Sequence, residues 1–106
     1  MHKPLVSVIM SAYNAEAFIE QSIKSVMDQT YDNYELIICD DGSVDKTAEI
    51  IKRYPSVQYL YQNNQGQGAG RNHAANHAKG DYLAFIDADD RWASEKLEQQ
   101  MDLFKK

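Results

Sequence analysis

No stretch of this chain approaches the ~18 consecutive apolar residues of a membrane span. The N-terminal segment MHKPLVSVIMSAYN holds one short apolar run before polar residues resume, which does not make a signal peptide. The corresponding expectation is a cytoplasmic chain, working in solution or at the cytoplasmic face of a membrane. There is one cysteine, Cys39, so an internal disulfide is excluded. Within the apolar run YELIIC it reads as a small buried hydrophobe in a strand. Positive charge is scarce: 11 Lys and Arg stand against 16 Asp and Glu, for a formal net charge of −5, and no basic block offsets this. Nucleic acid is therefore excluded as a partner, and an anionic ligand would need a metal or local hydrogen-bond donors. Low-complexity linkers and internal repeats are also missing.

What remains is an ordinary globular composition, 43% hydrophobic and 25% charged, in 106 residues. That length builds one small domain with a core and is too short for two, so residues 1–106 are expected to form a single domain. The periodicity alternates between two kinds of segment. LVSVIMS (5–11), YELIIC (34–39), VQYLY (57–61) and YLAFI (82–86) read as strands. Between them, Phe18, Ile19, Ile23, Val26 and Met27 recur at helical spacing. A second helix is expected from about Asp45 to Tyr54, closed by Pro55, and a third in GRNHAANHAKG with Gly80 as its C-cap. Leu97, Met101 and Phe104 mark a fourth. Strand-helix alternation on this scale predicts an α/β fold: a mostly parallel, Rossmann-like sheet with helices on both faces.

In such a sheet the ligand site lies beyond the carboxyl ends of the strands, where strand order reverses. With the order 3-2-1-4, the segments SAYNAE, DDGSVD and DADDRW share one mouth. Asp40, Asp41, Asp87, Asp89 and Asp90 would then crowd a single concave edge, which is costly unless a cation or donors neutralise them. Asp87 and Asp89, two residues apart, suit a hard cation such as Mg²⁺ or Mn²⁺ that completes its shell with phosphate and water. The simpler reading makes Asp89 or Asp90 the N-cap of the last helix. DDGS likewise reads as a tight turn, with Gly42 at positive φ and Ser43 or Asp45 capping the next helix, or as a carboxylate placed to accept from a nucleobase or ribose.

Tyr13 is either a loop aromatic or a face on which a base stacks. Gly66, Gly68 and Gly70 match no phosphate-loop fingerprint and read as a mobile loop with Arg71 at its helical end. His73 and His77, four apart without a third ligand nearby, read as a wet helix face rather than a zinc site. Trp92 groups with the last helix as core or docking surface.

Together, VSVIMSAYNAEAFIEQSIKSVMDQTYDNYELIICDDGSVDKT, then NNQGQGAGRNHAANHAKGDYLAFIDADD and W…KLE, resemble the nucleotide-binding half of family 2 glycosyltransferases, which have the GT-A fold. The resemblance runs from about Val6 to Leu97. It implies transfer of a sugar from a nucleotide diphosphate sugar, most often a UDP-sugar, to an acceptor hydroxyl. Inversion, a divalent metal (Mg²⁺ or Mn²⁺) and a role in polysaccharide or cell-surface glycan synthesis are implied with it. By position, Ser11 and Tyr13 would line the base pocket, Asp41 would bind the base and Arg71 would lie beside it. Asp87 and Ala88 would meet the ribose and diphosphate, and Asp89, with Asp87, would hold the metal.

Gly70, Ala74 and Ala93 depart from the family's usual alanine, glycine and proline, and Gly70 loosens the start of its helix. The resemblance further implies an acceptor-binding half beyond Lys106, carrying the general base and meeting a glycan or lipid-linked sugar. This chain alone would then bind donor and metal with little transfer. An open sheet of this kind is expected to self-associate through an exposed edge or apolar face. Two rival readings are a non-catalytic Mg-binding or nucleotide-sensing flavodoxin-like module, for which the expected lysine after a later strand is missing, and a structural domain with acidic turns.

Overall fold

The apolar runs become strands because each is long enough to cross a sheet and too short for a helix that could bury it. In the computed structural model, which describes residues 3–104, β1 is Val6–Ala12, β2 Tyr34–Asp41, β3 Val57–Gln62 and β4 Tyr82–Phe85. The helices are α1 (Ile19–Met27), α2 (Thr47–Ile51), α3 (Gln67–Ala75) and α4 (Lys96–Phe104). Residues 1–2 and 105–106 of the expected single domain lie outside the described residues. The strand order is β3-β2-β1-β4 with every neighbouring pair parallel, as the alternation predicts. Among the described residues, no helix is long and apolar enough to cross a membrane.

Side-chain alternation gives each face its own core. On one face Val6, Val8, Met10, Leu36 and Ile38 pack with Ile19 and Ile23 of α1, Ile51 of α2, and Leu97 and Met101 of α4. On the other, Ile9, Ile37 and Cys39 meet Ala74 of α3. Small residues on α3 let its backbone come close to β1 and β2. Leu83 and Phe85 of β4 share this second face, in register with Ser7 and Ile9, but α3 packs on β1, β2 and β3; they stay 45% and 49% exposed.

Several local expectations differ from the structure. Phe18 and Met27 fit the helical apolar period but are exposed, because α1 begins after Phe18 and buries Ile19, Ile23 and Val26 instead. The segment expected to be a mobile glycine loop is helical from Gln67, with Gly68 and Gly70 inside α3. Gly80 is not a helix cap: Asn76 ends α3, and the Gly80 N–H donates to Ser7 Oγ at 2.8 Å. Asp89 and Asp90 do not cap α4, which starts at Lys96 and whose Leu97 N–H donates to Oε1 of buried Gln29 at 2.9 Å. Neither Ser43 nor Asp45 is the N-cap of α2, which is Lys46; Asp45 lies one residue before it, and its Oδ1 accepts from both N–H and Oγ1 of Thr47 at 2.9 and 2.6 Å. Trp92 is core, while Phe104 is half-exposed and stacks on Tyr82 at 4.7 Å.

Candidate functional site

The carboxyl ends of β1, β2 and β4 open into one cleft of about 530 Å³, in the range of small-molecule sites. Its first wall is the turn after β1. Asn14 takes a left-handed conformation, φ 49°, which asparagine tolerates better than most residues. Its N–H donates to Ser43 Oγ and its Oδ1 accepts from Val44 N–H, both at 2.9 Å. Ala15 N–H donates to Thr47 Oγ1 at 2.8 Å and Glu16 N–H to Asp45 Oδ2 at 3.2 Å. These four bonds tie the β1–α1 and β2–α2 turns into one ledge. It presents Tyr13 and Phe18, 51% and 52% exposed, as two aromatic surfaces in the cleft lining.

The second wall is organised by Asp41. Adjacent strand residues face opposite sides, so Asp40 and Asp41 part company. Asp40 is fully buried on the α1 face, where its carboxylate accepts from Tyr59 OH at 2.7 Å and Ser43 N–H at 3.0 Å. Burial first, and then that bond to Asp40, raise the Tyr59 pKa, so the phenol stays a donor. Asp40 therefore does not join the cleft as expected.

Asp41 does line it, and its carboxylate is saturated. Oδ1 accepts from Gln62 Nε2 and Gln65 N–H at 2.8 Å, and Oδ2 from Gly66 N–H at 2.9 Å and Asn64 Nδ2 at 3.1 Å. Burial acts to raise its pKa, but the hydrogen bonds from Gln62, Gln65 and Gly66 outweigh it and hold the carboxyl below the ordinary aspartate value. Gly42, at φ 80° as expected of the turn, brings the chain within van der Waals contact of Asn64.

The third wall is the acidic turn after β4, closed by a bond from Asp90 N–H to Asp87 O at 3.0 Å. Asp87 Oδ1 accepts from Arg71 Nη2 at 2.6 Å and Gln67 Nε2 at 3.1 Å. Arg71 is thus placed at the cleft edge through Asp87. Asp89 is exposed and lines the cleft without a protein hydrogen-bond partner among the described residues. The crowding of acids is relieved separately for each: amide donors for Asp41, a guanidinium for Asp87, and solvent for Asp89.

The turn is held from behind by Ser22 of α1, fully buried, whose single hydroxyl proton is shared between Ala88 O and Asp90 O, each at 2.6 Å. Ser22→Ala removes the donor and leaves two carbonyls short of a partner. The expected cost is about 1–2 kcal/mol by urea denaturation, with faster amide exchange at Asp90.

The structure therefore brings Ser11, Tyr13, Asp41, Asp87, Ala88 and Asp89 together in one cleft, with Arg71 reaching it by its ion pair. Asp90 is exposed outside the lining. Gly70 has a role beyond loosening α3, since a Cβ there would stand 2.1 Å from Ser11 Oγ. Glycine makes room for that hydroxyl. Asn14, Phe18, Asn64, Gly66 and Gln67 also line the cleft; the sequence reading gives Asn14, Asn64 and Gln67 no role and places Phe18 on the apolar period of the first helix. Only Gly66 carried a signal, as part of the glycine series.

Among the described residues no three His, Cys, Asp or Glu side chains cluster closely enough to enclose a metal. The donor set nonetheless fits a hard cation that takes one or two carboxylates from a protein and the rest of its shell from phosphate and water. Asp89 has both oxygens uncommitted, whereas one oxygen of Asp87 is already engaged by Arg71 and Gln67.

The family model described as Glycosyl transferase family 2 matches residues 7–106. The Escherichia coli protein named UDP-Glc:alpha-D-GlcNAc-diphosphoundecaprenol beta-1,3-glucosyltransferase WfgD is 45% identical over 105 residues, covering 96% of this chain and 42% of its own. The chain spans well under half the length of the curated relatives it matches. Among solved structures, S. aureus TarS 1-349 in complex with UDP-GlcNAc superimposes with TM-score 0.90 at 29% identity, over 94% of this chain and 31% of that one. The mannosyltransferase PcManGT of Pyrobaculum calidifontis, in complex with GDP-Man and Mn2+, gives TM-score 0.91 at 26% identity, over 100% of this chain and 34% of that one.

Proposed function

Given that the chain belongs to glycosyl transferase family 2, we propose that it is the donor-binding part of an enzyme moving a sugar from a nucleotide diphosphate sugar, a UDP-sugar, to an acceptor hydroxyl with inversion. The observation that carries this reading is the composition of the cleft. Two exposed aromatic faces sit on one ledge, a polar wall of Asn64, Gly66 and Gln67 braced on Asp41 and Asp87 stands opposite, and an uncommitted carboxylate lies at the third side. Tyr13 and Phe18 offer stacking surfaces for a base. Gln67 keeps one amide N–H for a ribose or diphosphate, and Asn64, whose two N–H groups go to Asp41, keeps its carbonyl oxygen for a ribose hydroxyl.

A divalent cation, Mg²⁺ or Mn²⁺, would be held by Asp89 with Asp87 beside it, and would offset the charge of the departing diphosphate. Arg71 keeps Asp87 oriented toward that edge. The E. coli relative's name describes a sugar acceptor joined to a diphosphate-linked lipid. A lipid-linked or glycan acceptor, met at the cytoplasmic face of a membrane during cell-surface polysaccharide synthesis, is the corresponding proposal here.

Calorimetric titration with UDP, with and without Mn²⁺ and alongside GDP, tests the reading. Saturable UDP binding that strengthens with Mn²⁺ and loses that gain in Asp89→Ala is the expected result. A folded chain that binds neither nucleotide at millimolar concentration would overturn it.

A further inference from the structure

Gln62 pairs directly with Asp41 in the β2–β3 register, and both side chains face α3. A carboxylate only accepts, so Gln62 must present its NH₂ to Asp41 Oδ1, at 2.8 Å. That fixes the carboxamide's other end. Oε1 points away from the cleft, to Nδ1 of half-buried His73 on α3 at 3.1 Å. Nδ1 must therefore carry a proton, which settles the tautomer of a neutral ring. The same nitrogen lies 3.5 Å from Cys39 Sγ. That thiol remains protonated, burial and the nearby Asp41 and Asp40 charges pushing its pKa up to about 11. His73 is thus engaged with the sheet rather than lying on a wet helix face.

We infer that Gln62 and His73 are positioning residues for the nucleotide-sugar donor, acting through Asp41; the inference rests on the donor-site reading above. The relay runs from His73 through Gln62 to Asp41, and from Asp41 to the N–H groups of Gln65 and Gly66 immediately before α3. Both ends of the relay belong to one stretch, residues 65–73. Its middle carries Gln67 and Arg71, which hold Asp87. One helix is thereby fixed to two acids of the cleft on two different strand ends. Without the Gln62 donor, Asp41 can turn about its terminal torsion, and the wall formed by Asn64, Gly66 and Gln67 slackens. None of these contacts requires Gln62 or His73 to touch the donor, which is why neither lines the cleft.

The test uses the whole chain and three variants: Gln62→Met and His73→Phe, which keep bulk but remove the donors, and His73→Asn, which returns an N–H near the place of Nδ1. Amide exchange at Gln65 and Gly66 is read without ligand, and UDP affinity is read with Mn²⁺. Loss of the charge-assisted Gln62–Asp41 bond corresponds to about tenfold, so Gln62→Met should exchange about tenfold faster at those two amides and bind UDP about tenfold more weakly; His73→Phe, which loses a neutral bond, should shift both by about fivefold. His73→Asn should restore most of both.

Unchanged exchange at Gln65 and Gly66 overturns the relay. Faster exchange with unchanged UDP affinity overturns the positioning role and leaves the donor reading standing. A wild-type chain that binds no UDP overturns the donor reading itself, and the positioning role with it. Loss of affinity in His73→Phe that His73→Asn does not restore would also count against the relay.

Discussion

Asp41→Ala is expected to lower the unfolding free energy by about 3 kcal/mol and to abolish measurable UDP binding. The carboxylate is 2% exposed and accepts four hydrogen bonds, two from backbone N–H groups that no other acceptor can reach. Truncation removes the acceptor and strands those donors beside a small void. Urea denaturation followed through the single tryptophan, buried Trp92, measures the loss directly.

The same variant should change the acid limb. The folded-state pKa of Asp41 is depressed, so the charged form contributes fully above the unfolded value of about 3.9, and that contribution is lost as pH falls through the lower folded value. Removing Asp41 should flatten the decline of stability below about pH 4. Part of the decline should persist through Asp45. Its burial acts to raise its pKa, yet bonds from Thr47 and Glu16 hold it low. An acid limb identical to wild type would show that Asp41 gains nothing from its four donors.

Gly80→Ala is expected to destabilise the chain by about 3 kcal/mol, whereas Gly68→Ala should stabilise it by up to ~1 kcal/mol. The two glycines look alike in sequence, and both stood close to the ends of the expected third helix. A Cβ on Gly80 would lie 2.7 Å from Leu5 O and 2.8 Å from Ser7 N, and backbone atoms at the start of the central strand β1 cannot step aside. It would also press on Ser7 Oγ at 2.6 Å, which accepts from Gly80 N–H and itself donates to Glu35. A Cβ on Gly68 meets nothing within 4 Å and gains helix propensity. Urea midpoints of both variants against wild type decide the matter. Equal midpoints would mean that the junction before β4 relaxes far more easily than its contacts indicate.

For these glycines, local sequence and tertiary contact dictate different things. Gly42 was legible, because a D-D-G-S turn after a strand needs positive φ whatever packs around it, and φ is 80°. Gly80 was misread as a helix cap, because only the fold brings β1 against that turn. Glycine's low helix propensity puts Gly68 and Gly70 in a loop; α3 forms anyway, since Gly70 and Ala74 let it settle closely on the sheet.

For the cleft, the acidic turns and Tyr13 were visible as strand-end residues, and the family resemblance assigned them roles. Phe18 was drawn into the core by its period with Ile19 and Ile23, although one residue of difference in helix start sends it to the cleft instead. Ser22 gave no sign at all. A buried serine on a helix shows its purpose only when two carbonyls from a turn more than sixty residues later arrive beside it.

The sequence by itself determined the β-α alternation, the parallel sheet and the placing of the acids at the carboxyl ends of the strands, while the order 3-2-1-4, a condition of the sequence reading, is supplied by the fold. The first three follow from periodicity, chain length and the handedness of crossovers, which are local or general. Tertiary structure alone decided what each acid does. Asp40 and Asp41 are neighbours of identical chemistry. One is buried against Tyr59 and the other clamps Asn64, Gln65 and Gly66. Asp87 is neutralised by Arg71 sixteen residues away, while Asp89 is left open. The physical reason is that a carboxylate's role is set by the donors around it, and here those donors come from strands and loops that only folding brings within reach.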